Sequence, residues 1–129
     1  KIGLSDPFGS SLYNFVKNKH LKSEGSSITE GIGTSRITKN FENTLIDYAY
    51  RIDDTKALNV IFNLLKHEGL CLGTSSGINV AGAIEMAKEM GPGNTIVTIL
   101  CDVGSRSASK IFNVDFLKSK NLPYPDWLI

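Results

Sequence analysis

Cysteine, histidine, methionine and tryptophan are scarce in this 129-residue sequence: two, two, two and one respectively. Two cysteines, Cys71 and Cys101, leave room for at most one disulfide or one shared metal pair. The alternative reading makes them small apolar core residues in a reducing compartment, since free cysteine is commonly buried. His20 and His67 stand in no metal-ligand spacing and beside no partnered nucleophile. Gly73-Thr74-Ser75-Ser76-Gly77 therefore resembles a nucleophile elbow only loosely. There is no Walker loop, no dinucleotide fingerprint and no internal repeat. No apolar run is long enough to span a bilayer, and no secretory signal is present. A net charge of +1 gives no reason to expect nucleic acid or a membrane surface as partner. These readings together place the chain in the cytoplasm.

What is present is the make-up of a globular α/β domain, 41% hydrophobic and 21% charged. The chain is organised around residues 69–106. Residues 70–74 read as a short strand and Ser75-Ser76-Gly77 as a turn able to cap a helix. From residue 78 to 90 the apolar positions Val80, Ala83, Ile84 and Ala87 recur at helical spacing. Gly91-Pro92-Gly93 ends that helix. Residues 95–101, TIVTILC, are β-branched and apolar almost throughout, which predicts a strand covered on both faces in a parallel sheet. In open parallel sheets ligands sit beyond the carboxyl ends of the strands, here residues 73–77 and 102–106.

The remaining segments complete the expectation. Residues 1–4 predict a strand closed by Ser5-Asp6-Pro7, and residues 9–18 a short helix. Residues 19–43 show no periodicity; so long a connection is either an ordinary surface loop or a functional one. Within it, Gly31-Ile32-Gly33 would let the backbone approach a ligand closely, because glycine has no Cβ. Residues 45–52 predict a strand, and Asp53 or Asp54 caps a helix reaching about His67, with Gly69 as its stop. His67 in the last turn complements the helix dipole. Short helices follow near 108–112 and 115–120. The proline-rich tail, residues 121–129, is irregular and carries Trp127 into an apolar groove. The fold class is thus α/β, an incomplete, mostly parallel sheet with flanking helices. A first residue Lys1 that already looks like mid-strand, and only three or four strands, suggest a piece of a longer protein.

Four stretches carry a resemblance to one family: Ser5-Asp6-Pro7 with Gly9-Ser10-Ser11-Leu12-Tyr13; Ile28-Thr29-Glu30-Gly31-Ile32-Gly33; residues 68–79, EGLCLGTSSGIN; and Thr98-Ile99-Leu100-Cys101-Asp102 with Lys110. Taken in order, they resemble the C-terminal portion of a pyridoxal-phosphate enzyme of the tryptophan-synthase-β fold type. They are most similar to the cysteine synthase and cystathionine β-synthase family. The whole of residues 1–129 would then be the C-terminal part of one catalytic domain. The resemblance implies pyridoxal phosphate as cofactor, an activated serine such as O-acetylserine and sulfide as substrates, and a homodimer. It implies β-replacement giving cysteine. L-cysteine β-elimination, cystathionine synthesis or a non-catalytic interaction protein derived from the enzyme are the alternatives. The family's Schiff-base lysine and phosphate cup precede the stretch matching Lys1, so no catalytic residue is assigned here and no metal is expected. The resemblance places Gly31, Ile32 and Gly33 beside cofactor and substrate, Gly73 and Ser75 in the turn near the ring, and Asp102 and Val103 opposite the pyridine nitrogen. Val103 stands where the family commonly has serine, and Ser107 where it has tyrosine.

Overall fold

In the computed structural model, which describes residues 1–129, two parallel strands carry the sheet: β1 (Gly3–Pro7) and β2 (Tyr48–Ile52). Gly3 pairs with Tyr48, Ser5 with Tyr50 and Pro7 with Ile52. Asp47 fixes this register from outside the strands, its carboxylate accepting from the Ile2 amide at 2.7 Å and from Lys1 at 3.3 Å. Between the strands run α1 (Leu12–Asn18) and the single turn α2 (Lys39–Glu42). Then come the two long helices, α3 (Asp54–Glu68) and α4 (Thr74–Met90), and the short α5 (Ala108–Ile111) and α6 (Val114–Ser119). The expected α/β class, with a parallel sheet and flanking helices, is present.

Local chemistry accounts for the long helices. Asp53 accepts from the Lys56 amide at 2.8 Å, satisfying one free donor of the first turn of α3. Gly69 closes that helix at φ 69°, its amide reaching the Leu64 and Leu65 carbonyls. The buried face of α3 serves two cores. Ala57 joins Ile52, Ile78 and Ala81, while Leu58, Ile61 and Phe62 join Leu72, Ile111 and Leu117. Helix α4 packs tightly on two neighbours through glycine. A Cβ on Gly77 would lie 2.9 Å from the Ala57 carbonyl oxygen of α3, and one on Gly82 would lie 2.6 Å from the Ser5 Cβ of β1.

Four expectations are corrected. Residues 70–74 form no strand: Leu72 alone makes an antiparallel bridge, to Val103, and Thr74 already belongs to α4. Residues 95–101 form no strand and pair with none, and Val97 and Ile99 are 84% and 65% exposed. The β-branched run has the intrinsic preference for a strand, yet no chain segment lies beside it to accept its hydrogen bonds. Cys71 and Cys101 are exposed free thiols and not core residues, because neither of the strands expected to hold them forms. Finally, β1 includes Ser5, Asp6 and Pro7, which the sequence reading took as the close of the strand; proline is tolerated there because β1 has a strand neighbour on one side only. The tail does pack through Trp127, edge-on to Phe62 with centroids 5.9 Å apart, but the indole stays 43% exposed.

Candidate functional site

The first turn of α4 leaves backbone amides without helical partners, and a carboxylate from 26 residues later satisfies two of them. Asp102 accepts from the Ser76 amide at 2.8 Å, the Ser75 amide at 3.2 Å and the Ser76 hydroxyl. The Ser76 hydroxyl also accepts from the Asp102 amide at 3.1 Å. Burial pushes the Asp102 carboxyl up, but the hydroxyl and amide of Ser76 and those of Ser75 outweigh it and hold the group below the usual carboxylate range. Gly73 is required for this seat, since a Cβ there would lie 2.2 Å from an Asp102 carboxylate oxygen. Two further backbone bonds pin the crossing: Gly73 N–H to Asp102 C=O at 3.2 Å and Gly104 N–H to Cys71 C=O at 3.0 Å.

In front of this cap is an open cavity of about 360 Å³. Ser75, Cys101 and Asp102 line it together with Arg106 and Ser107 and with Glu30 and Gly31 of the long loop. The Ser75 hydroxyl and the Cys101 thiol lie 3.2 Å apart. Gly31 has φ 78°, and a Cβ on it would meet nothing within 4 Å, so its backbone is open to the cavity.

The loop that delivers Gly31 is fastened at both ends. Upstream, Asp54 accepts from the Ile28 amide at 2.9 Å and from the hydroxyls of Ser27 and Thr29. Lys110 of α5 donates to the Ile28 carbonyl at 3.2 Å and pairs with Glu30. Downstream, the Ser10 hydroxyl holds both the amide and the carbonyl of Thr34, each at 3.0 Å. A connection without periodicity is therefore held by side chains where secondary structure is absent.

Of the residues singled out from sequence, Gly31, Ser75 and Asp102 meet at this cavity and Gly73 stands behind it. Ile32 points away into the core with Ile52, Ala57, Ile78 and Ala81. Gly33, at φ 81°, packs on Pro7 and Ser10. Val103 is 55% exposed and does not line the cavity; its backbone bridges to Leu72. Glu30, Cys101, Arg106 and Ser107 were missed. Arg106 could have been found, since it lies in the segment 102–106 already marked for chemistry, and Ser107 follows it directly.

The donor set suits one flank of a heteroaromatic ring: an open glycine backbone, a hydroxyl, a thiol and a carboxylate. Arg106 is the one cation lining the cavity, and no lysine lines it. The chain mixed with pyridoxal phosphate and treated with borohydride is accordingly expected to label only scattered surface lysines. Stoichiometric labelling of one lysine, read by peptide mass mapping, would show that this cavity is not the relevant site.

Comparison with known proteins bears on the family of the chain. Residues 3–102 match the model of the family described as pyridoxal-phosphate dependent enzyme. The chain is 41% identical to cysteine synthase 2 of Schizosaccharomyces pombe over 94% of its own length and 34% of the relative's. It is 43% identical to cysteine synthase 1 of Neurospora crassa over 95% and 34%. The crystal structure of O-acetylserine dependent cystathionine β-synthase from Helicobacter pylori superposes with a TM-score of 0.70 at 33% identity, covering 81% of this chain and 32% of that one. The chain thus spans about a third of the length of the curated relatives it matches. With its matched segment reaching from β1 to the Asp102 cap, the chain belongs to the family of pyridoxal-phosphate dependent enzymes.

Proposed function

We propose that this chain is the C-terminal part of a cysteine-forming enzyme that replaces the β-substituent of O-acetylserine with sulfide. The observation that carries the reading is the meeting of Gly31, Ser75 and Asp102, from three separate motif stretches, at one cavity. Identity of 41–43% to cysteine synthases supports the choice of reaction. In this reading Gly31 and Ser75 flank the cofactor ring, and Asp102 keeps the Ser75 amide and hydroxyl in place. Gly33 and Ile32 seat the loop, and Val103, at the position the resemblance sets opposite the pyridine nitrogen, lies outside the cavity. Pyridoxal phosphate, when bound, supplies an electron sink for negative charge developing on the amino acid. This wall contributes orientation and exclusion of water; the covalent lysine comes from outside residues 1–129. The same reading makes the whole enzyme a homodimer of the cytoplasm, and two exposed unpaired thiols suit a reducing compartment.

The similarity to an O-acetylserine dependent cystathionine β-synthase favours a second reading, with the same electrophile and a thiol amino acid as nucleophile. Turnover by a polypeptide of the relatives' length containing this chain separates the two. Cysteine formed from O-acetylserine and sulfide is expected. Cystathionine formed from O-acetylserine and homocysteine, with no reaction of sulfide, would overturn the first reading in favour of the second.

A further inference from the structure

From residue 28 to 33 no backbone amide or carbonyl bonds to another backbone group, although this stretch carries the Gly31 that lines the cavity. Its position depends on side chains. The Asp54 carboxylate, at the start of α3, accepts from the Ile28 amide at 2.9 Å. The Lys110 ammonium of α5 donates to the Ile28 carbonyl at 3.2 Å, and that carbonyl has no other partner. One residue is thus gripped from two helices, its amide by one and its carbonyl by the other. The same ammonium pairs with Glu30, the neighbour of Gly31. Helix α5 begins directly after Arg106 and Ser107, which line the cavity as Glu30 and Gly31 do. Lys110 therefore joins two lining segments that are remote in sequence, for it stands 80 residues from Glu30.

We propose that Lys110 is a positioning residue of this site, a clasp that ties the Gly31 loop to the segment of Arg106 and Ser107 and keeps the cavity ready to bind. The inference rests on the proposed function, in which Gly31 flanks the cofactor ring and the O-acetylserine bound to it. Lys110 does not itself line the cavity, so it acts through Ile28 and Glu30. The other fasteners stop short of Gly31. Asp54 and Ser27 hold residues no further than Thr29, and Ser10 holds Thr34. Ile32 is anchored only by its side chain, in the core. Lys110 alone reaches Glu30. The Lys110 side chain is 28% exposed and that of Glu30 75%, and an ion pair this open on its acidic side adds little by itself. The weight of the clasp rests on the Ile28 carbonyl, which the ammonium alone satisfies.

The test uses a polypeptide of the relatives' length containing this chain. Lys110→Met is expected to raise KM for O-acetylserine about tenfold, the change that losing one hydrogen bond to a charged group brings, with a much smaller change in kcat. An unclasped loop is competent to bind for only part of the time and regains its place once substrate holds it. Lys110→Arg, which can donate to both partners, should restore most of the loss. Glu30→Gln should give the same split at smaller size, because the bond to the Ile28 carbonyl survives. Amide hydrogen exchange, read without substrate or turnover, should quicken at residues 29–33 in Lys110→Met and stay unchanged in α3. Unchanged KM with unchanged exchange would overturn the clasp. So would a loss confined to kcat, or faster exchange spread equally through α5 and α6, either of which would reduce Lys110 to a packing residue. Quickened exchange confined to residues 29–33, in a polypeptide inert towards O-acetylserine, would support the clasp and overturn only the proposed reaction.

Discussion

Asp102→Asn is expected to destabilise the chain by about 1.5–3 kcal/mol at pH 7, the range for hydrogen bonds to a charged group. Asparagine keeps one acceptor oxygen for the Ser76 amide but loses the charge at the positive end of α4 and one of the two acceptors. The effect carries a pH signature. Because the folded-state carboxyl titrates below its unfolded value of about 3.9, its stabilisation is complete above that pH and is lost as pH falls through the folded value. Urea denaturation of both proteins between pH 7 and pH 2 should therefore show curves that converge in acid. A gap that stays constant would mean that the carboxylate's charge is irrelevant and that only packing was disturbed. The variant should also loosen the Cys71–Gly73 and Asp102–Gly104 crossing, since the same residue fastens it.

Gly82→Ala should cost about 1–3 kcal/mol through overpacking, against roughly 1 kcal/mol returned by the better helix propensity of alanine. The added Cβ would fall 1.8 Å from the Ser5 hydroxyl oxygen, 2.6 Å from its Cβ and 3.4 Å from its Cα. Rotating the hydroxyl away relieves only the first contact, so α4 or β1 has to shift. A double-mutant cycle settles the cause. Ser5→Gly should recover most of the loss in the Gly82→Ala background, and Ser5→Ala little of it. Equal recovery by both would place the strain in the hydroxyl alone.

Legibility from sequence followed the range of the interactions. Helix α3 was read almost to the residue because its cap Asp53, its apolar stripe and its stop Gly69 are all local. Helix α4 was read four residues late. Ser75 and Ser76 looked like a turn that caps a helix, whereas they lie inside its first turn and the cap comes from Asp102. No local signal marks a cap supplied across 26 residues. Residues 95–101 carry every intrinsic mark of a buried strand, and the pattern describes an environment that residues 1–129 do not themselves provide. The cysteines followed the same error, since Cys71 and Cys101 lie within the expected strands 70–74 and 95–101. In the loop of residues 19–43, Gly31 is the one member of the Gly31-Ile32-Gly33 step that lines the cavity. Ile32 turned inward, a choice set by the core that receives it.

Helix α3 contributes Ala57 to one core and Leu58, Ile61 and Phe62 to the other. Neither core has more than six fully buried members, too few to be an independent folding unit. Joined through one helix, they are expected to melt together. Undocking the C-terminal segment would strip Ile111 and Leu117 from α3 and so weaken the helix that also packs on Ile52. Cooperativity in this chain would then run along a helix axis, from one core to the other.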